Sequence, residues 1–141
     1  MIPELRAVFD TSVAVSAALL PRSIPRQAFN LARERGVLLL SEDTLAELNE
    51  VLRRPGFDRY NSEDDRLDFL VAYVNEAEIV DVTKSIQECR DPRDDKFLEL
   101  AVSGNAVVII SGDQDLLIMN PFRGIDITTP ERFKASMSGT S

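Results

Sequence analysis

Asp10 closes an apolar run, LRAVFD (5–10), and the chain turns at once into Thr11 and Ser12. A second apolar run, AVVIIS (106–111), leads into GDQD, which puts Asp113 and Asp115 just past its end. A third acidic group, DPRDD (91–95), opens a helical pattern, and Glu47 lies inside another. Taken singly, each acid has a structural reading. Asp10 can cap a following helix. Asp91, Asp94 and Asp95 suit the positive end of one. Asp113 and Asp115 can form a turn, and Glu47 can sit solvated on a helix face. Taken together they point to chemistry. Ligands of parallel sheets bind beyond the carboxyl ends of the strands, so acids that close two buried strands meet in one cleft. Like charges held that close are costly unless a cation neutralises them.

The rest of the inventory narrows that chemistry. The chain has no histidine, which removes His-based triads, His general bases and His-ligated zinc. Cys89 is the only cysteine, so an intrachain disulfide and a structural zinc site are both ruled out. Clustered carboxylates suit Mg²⁺ or Mn²⁺, which turn water into a usable nucleophile without histidine.

The elements that would position these acids can be read from the apolar runs and their punctuation. Strands are expected over 5–10, 37–40, 78–82 and 106–111, and from residue 124 before Pro130. Helices are expected over 11–20, 24–35, 41–54, 61–77, 90–104 and 112–119, with a brief one near Pro130. Ser41 and Ser62 read as caps, Pro25 as a first-turn proline, and Gly36 and Gly104 as helix stops. Strands alternate with helices, and the strand runs are apolar on both faces. That predicts an α/β domain with a mainly parallel sheet covered on both sides.

The 141 residues suit one domain with a real core, and the 44% apolar and 28% charged fractions are ordinary for a globular protein. No run reaches membrane-spanning length and no signal peptide is evident, so a cytoplasmic protein without membrane contact is expected. The net charge of −8 argues against a nucleic-acid partner at face value. It is unevenly spread, however. Residues 1–60 carry eight acids and eight bases, whereas 61–100 carry twelve acids and five bases. Arg22, Arg26, Arg33 and Arg35 face only Glu34 within 22–35, which leaves room for a local basic rim.

Five stretches in order, VFDTSVAVSAALL (8–20), LLSEDTLAELNEVLRRP (39–55), CRDPRDDKFLELAVSG (89–104), VVIISGDQDLL (107–117) and GIDITTPERF (124–133), resemble the PIN domain family. They are similar in particular to bacterial PIN-family toxins of toxin–antitoxin systems. The resemblance covers residues 5–133. It implies a three-layer α/β/α sandwich over 1–134, with a flexible tail at 135–141, and a Mg²⁺- or Mn²⁺-dependent ribonuclease. Carried over by motif, the four catalytic acids are Asp10, Glu47, Asp95 and Asp113. Asp10, Asp95 and Asp113 would hold the metal, Asp115 would be an additional ligand, and Asp94 is the rival for the third place. Thr11, Ser12 and Ser111 would orient carboxylates or waters. Many relatives have Asn where Ser12 stands; serine keeps a hydrogen-bonding oxygen on a shorter side chain. Arg22 and Arg26, with Arg53 or Arg54, would line the RNA path. The implied partners are an RNA substrate, a cognate antitoxin and a second copy of the chain. For that homodimer, Phe57, Tyr60, Phe69, Leu70 and Tyr73 offer an apolar patch, unless they are core.

Three other readings compete. FDTS also resembles the nucleophile strand of haloacid-dehalogenase-type phosphatases, but that family has a second aspartate where Ser12 stands. A receiver-like signalling domain lacks its mid-chain acceptor aspartate here. A non-catalytic RNA- or protein-binding module would keep the acids as structural groups only.

Overall fold

The structure is a computed structural model that describes residues 4–138. Five strands, β1 (Leu5–Phe9), β2 (Gly36–Leu40), β3 (Glu78–Ile79), β4 (Val108–Ile110) and β5 (Asp126–Thr128), form one sheet in the order β3-β2-β1-β4-β5. Every pairing is parallel. The helices are α1 (Thr11–Leu19), α2 (Ile24–Arg35), α3 (Glu42–Leu52), α4 (Glu63–Glu76), α5 (Asp95–Ser103), α6 (Gln114–Leu117) and α7 (Pro130–Ser138).

The two faces of the sheet explain why its strands are apolar throughout. Ala7, Phe9, Leu38, Leu40, Val108 and Ile110 point into a core made with α1, α2, α3, α4 and α7. Val8, Leu39, Ile109 and Ile127 alternate with them and pack on α5 and on Leu116 of α6. The result is the three-layer sandwich. Each fully buried Leu or Ile contributes roughly 1.5–3 kcal/mol, and the central strands are built almost wholly of such residues. Gly36 both stops α2 and starts β2. A side chain there would meet the Leu5 carbonyl oxygen at 2.1 Å, so the close approach of β1 and β2 requires glycine.

Three elements depart from the sequence reading. The strand expected over 78–82 has only two residues, because β2 ends at Leu40 and leaves nothing beyond Val80 to pair with. The helix expected from residue 90 starts at Asp95. Asp91 and Pro92 make a 3-10 turn over Pro92–Asp94 first, with the Arg93 N–H donating to Asp91 Oδ1 at 3.0 Å. Helix α7 runs to Ser138, so 135–138 are helical where a tail was expected; 139–141 lie outside the described residues.

Of the suggested apolar patch, Leu70 and Tyr73 are buried core, Phe57 and Phe69 are partly buried against it, and Tyr60 is exposed. Arg66 is wholly buried. Its guanidinium donates to the carbonyls of Leu52 and Asn61 at 2.6 Å and to Asp58 at 2.9 Å, and so fixes the chain between α3 and α4.

Candidate active site

In the order β3-β2-β1-β4-β5, successive connections diverge at the boundary of β1 and β4, and a crevice opens beyond the carboxyl ends of such neighbours. Asp10 follows β1 and Ser111 follows β4, so both stand at that crevice. The Asp10 N–H donates to the Ile110 carbonyl at 3.0 Å, which prolongs the sheet pairing into the site. Asp10 Oδ1 accepts from the Val13 N–H at 2.8 Å and caps α1, while Oδ2 accepts from the Ser111 hydroxyl at 2.5 Å. The expected cap and the expected site residue are thus the same group. Burial pushes the Asp10 carboxyl above its ordinary range, and the neighbouring Asp113 charge adds to that; the hydrogen bonds from Ser111 and Val13 oppose the rise without cancelling it.

Ser111 is fully buried and ties the two strand ends together, since its Oγ also accepts from the Asp113 N–H at 2.9 Å. Asp113 caps the short α6, with Oδ1 accepting from the Asp115 N–H at 2.8 Å. Across the crevice, Ser41 and Thr44 form a reciprocal capping box that fixes the register of α3. That register turns Glu47 toward α1. Thr11 Oγ1 donates to Glu47 Oε1 at 2.5 Å and Lys96 Nζ donates to Oε2 at 2.7 Å. Burial raises the Glu47 carboxyl, but the bonds from Lys96 and Thr11 outweigh it and leave it below the ordinary range.

Asp10, Thr11, Ser12, Glu47, Asp91, Arg93, Asp94, Phe97 and Asp113 line a cleft of about 230 Å³. Asp94 lines this cleft, whereas Asp95, the sequence expectation for the third acid, opens α5, accepts from the Cys89 N–H at 2.8 Å, and lines a neighbouring cavity. Asp94 lies within hydrogen-bonding reach of Asp113, and its Oδ2 is buried without a partner. Burial, followed by the charges of Asp113, Asp91 and Asp10, pushes its carboxyl up to about 7.

Asp91, which the sequence places in the DPRDD acid group, lines the cleft with Asp94. Single oxygens of Asp91, Asp94 and Asp115 lie within 4.8 Å of one another, a spacing that one cation can span. The signal was present in the sequence as Asp91-Pro92, a pair that sets a turn rather than a helix interior. An all-carboxylate donor set with an unpartnered buried oxygen fits a hard divalent cation. Asp10 and Asp113 flank that triad.

The rim is cationic where the centre is not. Arg93 pairs with Asp91 at 2.9 Å, Arg90 with Asp115 at 2.5 Å and Lys96 with Glu47 at 2.7 Å. Arg22 and Arg26 do not line the cleft. Arg22 is exposed on the turn before α2. Arg26 donates to the Ala17 carbonyl at 2.9 Å and stacks over Phe69. No helix among the described residues is long and apolar enough to cross a membrane.

Comparison with known proteins matches residues 6–115, a span that contains every acid named above, to the PIN domain family. The uncharacterized protein MJ1680 of Methanocaldococcus jannaschii is 30% identical over 116 residues, 81% of this chain and 74% of its own. Two solved structures share the fold. The crystal structure of VapBC2 from Rickettsia felis, bound to a DNA fragment from its promoter, superposes with a TM-score of 0.59 at 13% identity, over 87% of this chain and 97% of that one. PAE2754 from Pyrobaculum aerophilum superposes with a TM-score of 0.62 at 15% identity, over 95% and 90%.

Proposed function

Because the chain belongs to the PIN domain family, whose members are generally nucleases, we propose that it is a Mg²⁺- or Mn²⁺-dependent endoribonuclease that hydrolyses RNA phosphodiesters. The observation that carries the reading is Asp94 Oδ2, a buried carboxylate oxygen without a partner, set against Asp113 at the crevice where the strand connections diverge between β1 and β4. A bound divalent cation supplies a nucleophile from water at neutral pH and charge compensation at the phosphate. Asp94, Asp91 and Asp115 would hold it, with Asp10 and Asp113 completing the negative field.

The protein's own part is to keep these groups ready. Ser111 and the Val13 N–H hold Asp10 in one orientation, so it does not reorganise when charge arrives. Thr11 and Lys96 hold Glu47 ionised at the cleft wall, where it can orient water. Burial and the neighbouring acids push the Asp94 carboxyl up to about 7, so it carries a proton at mildly acid pH and must release it to take a cation. RNA as the substrate, a protein antitoxin as partner and a role as the toxin of such a pair follow from the resemblance to PIN-family toxins; the VapBC2 likeness supports the fold on which that reading rests.

The test is calorimetric titration of Mg²⁺ and Mn²⁺ into wild type, Asp94→Asn and Asp95→Asn, with cleavage of a mixed single-stranded RNA followed on the same samples. Metal binding and cleavage lost in Asp94→Asn and kept in Asp95→Asn support the assignment. A folded wild type that binds neither metal overturns it in favour of a non-catalytic binding module.

A further inference from the structure

Two guanidinium groups sit on the oxygens that the cation would take. Arg93 grips Asp91 with two nitrogens, Nη2 at 2.9 Å and Nε at 3.2 Å. Arg90 holds Asp115 Oδ1 at 2.5 Å. Their carboxylate partners are two members of the triad, and its third member, Asp94, forms no ion pair among the described residues. Both arginines lie on the four residues Arg90–Arg93 between Cys89 and α5, a piece of chain without helix or strand apart from the turn at Pro92. Both are solvent-facing, at 66% and 85% side-chain exposure, unlike Lys96 at 20%. Arg93 also lines the adjoining cavity of about 520 Å³ with Gln87 and Ser85, so it borders both cavities.

A phosphodiester approaching five carboxylates needs more positive charge than one divalent ion brings. Guanidinium recognises phosphate as it recognises carboxylate, with two parallel N–H donors. We infer that Arg90 and Arg93 form the RNA-phosphate clamp of this site, parked on Asp115 and Asp91 until a divalent cation takes those oxygens and frees them for the substrate. The inference rests on the nuclease reading and adds to it: cation and RNA affinities are coupled through the same two side chains. Arg22 and Arg26, singled out from sequence, are not needed for it.

The coupling gives the test two opposite signs. Removing a competing cation from a ligand carboxylate tightens metal binding, and exposed pairs of this kind are worth about 0.2–1 kcal/mol, so Arg90→Ala and Arg93→Ala are each expected to bind Mg²⁺ up to about fivefold more tightly by calorimetry. The same variants are expected to bind RNA more weakly. Stopped-flow anisotropy of a labelled mixed single-stranded RNA, read in Mg²⁺ before product forms, should show the log–log salt slope fall by about 0.7 per arginine removed. Arg90→Lys with Arg93→Lys should restore most of the slope. Unchanged RNA affinity and slope in a wild-type background that binds metal and cleaves would overturn the clamp and leave the nuclease standing. Weaker metal binding in the alanine variants would overturn the parking. A wild type that binds no Mg²⁺ overturns both readings together.

Discussion

The acids of this cleft fall into two sets that the protein treats in opposite ways. Glu47, Asp91 and Asp115 each have a dedicated cation at 2.5 to 2.9 Å. Among the described residues Asp10, Asp94 and Asp113 form no ion pair; their partners are hydroxyls, backbone N–H groups and one another. Burial is the largest cause of the rise at Asp10 and Asp94, and neighbouring acids add to it. Burial acts on Glu47 as well, but there the bonds from Lys96 and Thr11 outweigh it and hold the carboxyl below its ordinary range. A fold that needed these acids only as helix caps would gain by neutralising the centre too. Leaving the centre without a cation gives an acidic group that could bind a metal, as the nuclease proposal requires.

The largest effect separating the sets is on activity. Asp94→Asn removes a central ligand and is expected to lower the cleavage rate by about 10²–10³, in line with the loss of one preorganised electrostatic group. In metal-free protein above pH 7, where Asp94 is ionised, the same change should raise the melting temperature, because it removes a repulsive charge. A variant that lost both activity and stability would break the comparison.

Next comes Ser111→Ala. Ser111 joins Asp10 to Asp113, and the loss of a buried bond to a charged group costs about 2 kcal/mol of stability by denaturant titration. Smaller again is Lys96→Met, which strips the cation from Glu47. The pair is partly buried, and about 1 kcal/mol of stability should go with it.

The subtlest contrast is in pH. The Asp94 carboxyl rises from 3.8 to about 7 on folding, so the native state binds more protons than the unfolded state between those values. Metal-free protein should therefore lose stability as pH climbs through that window. Saturating Mg²⁺ should recover it, with a larger gain at pH 7.5 than at pH 5. Glu47 works the other way: its contribution is present above the ordinary 4.5 and disappears as pH falls below it. Thermal melts of wild type and Asp94→Asn across pH 4 to 8 isolate the Asp94 part. An unchanged slope in the variant would sink the assignment.

Much of this was legible in the chain itself. LRAVF, VLLL and VII announce buried parallel strands because both faces of the sheet are covered. Ser41, Ser62 and Gly36 mark helix ends by chemistry that works locally. Asp10, Glu47 and Asp113 line one cleft, as strand ends and motif order lead one to expect of their positions. The choice between Asp94 and Asp95 did not emerge. Adjacent residues at a helix start project about 100° apart, and only the exact onset of α5 after the 3-10 turn decides which one faces the cleft. The surroundings of Arg26 are hidden in the sequence for a related reason. An arginine on an amphipathic helix looks solvated until a ring, here Phe69, is placed beneath it from another helix. Nor did the sequence separate Arg66 from the acids around it, because its burial depends on carbonyls at the end of α3.

The hydrogen bond from Ser111 to Asp10 joins residues 101 positions apart. β1 is first in the chain yet sits at the middle of the sheet, and its neighbour β4 is formed from residues 108–110. During synthesis the central strand must wait for more than two thirds of the chain before its second edge is paired. Contacts of such long range form late, because the loop must close before they repay it. The cleft is thus a timing device in its assembly. No partial product of translation that stops short of β4 can assemble the acids, and the chemistry they support is withheld from the nascent chain until the fold is nearly complete.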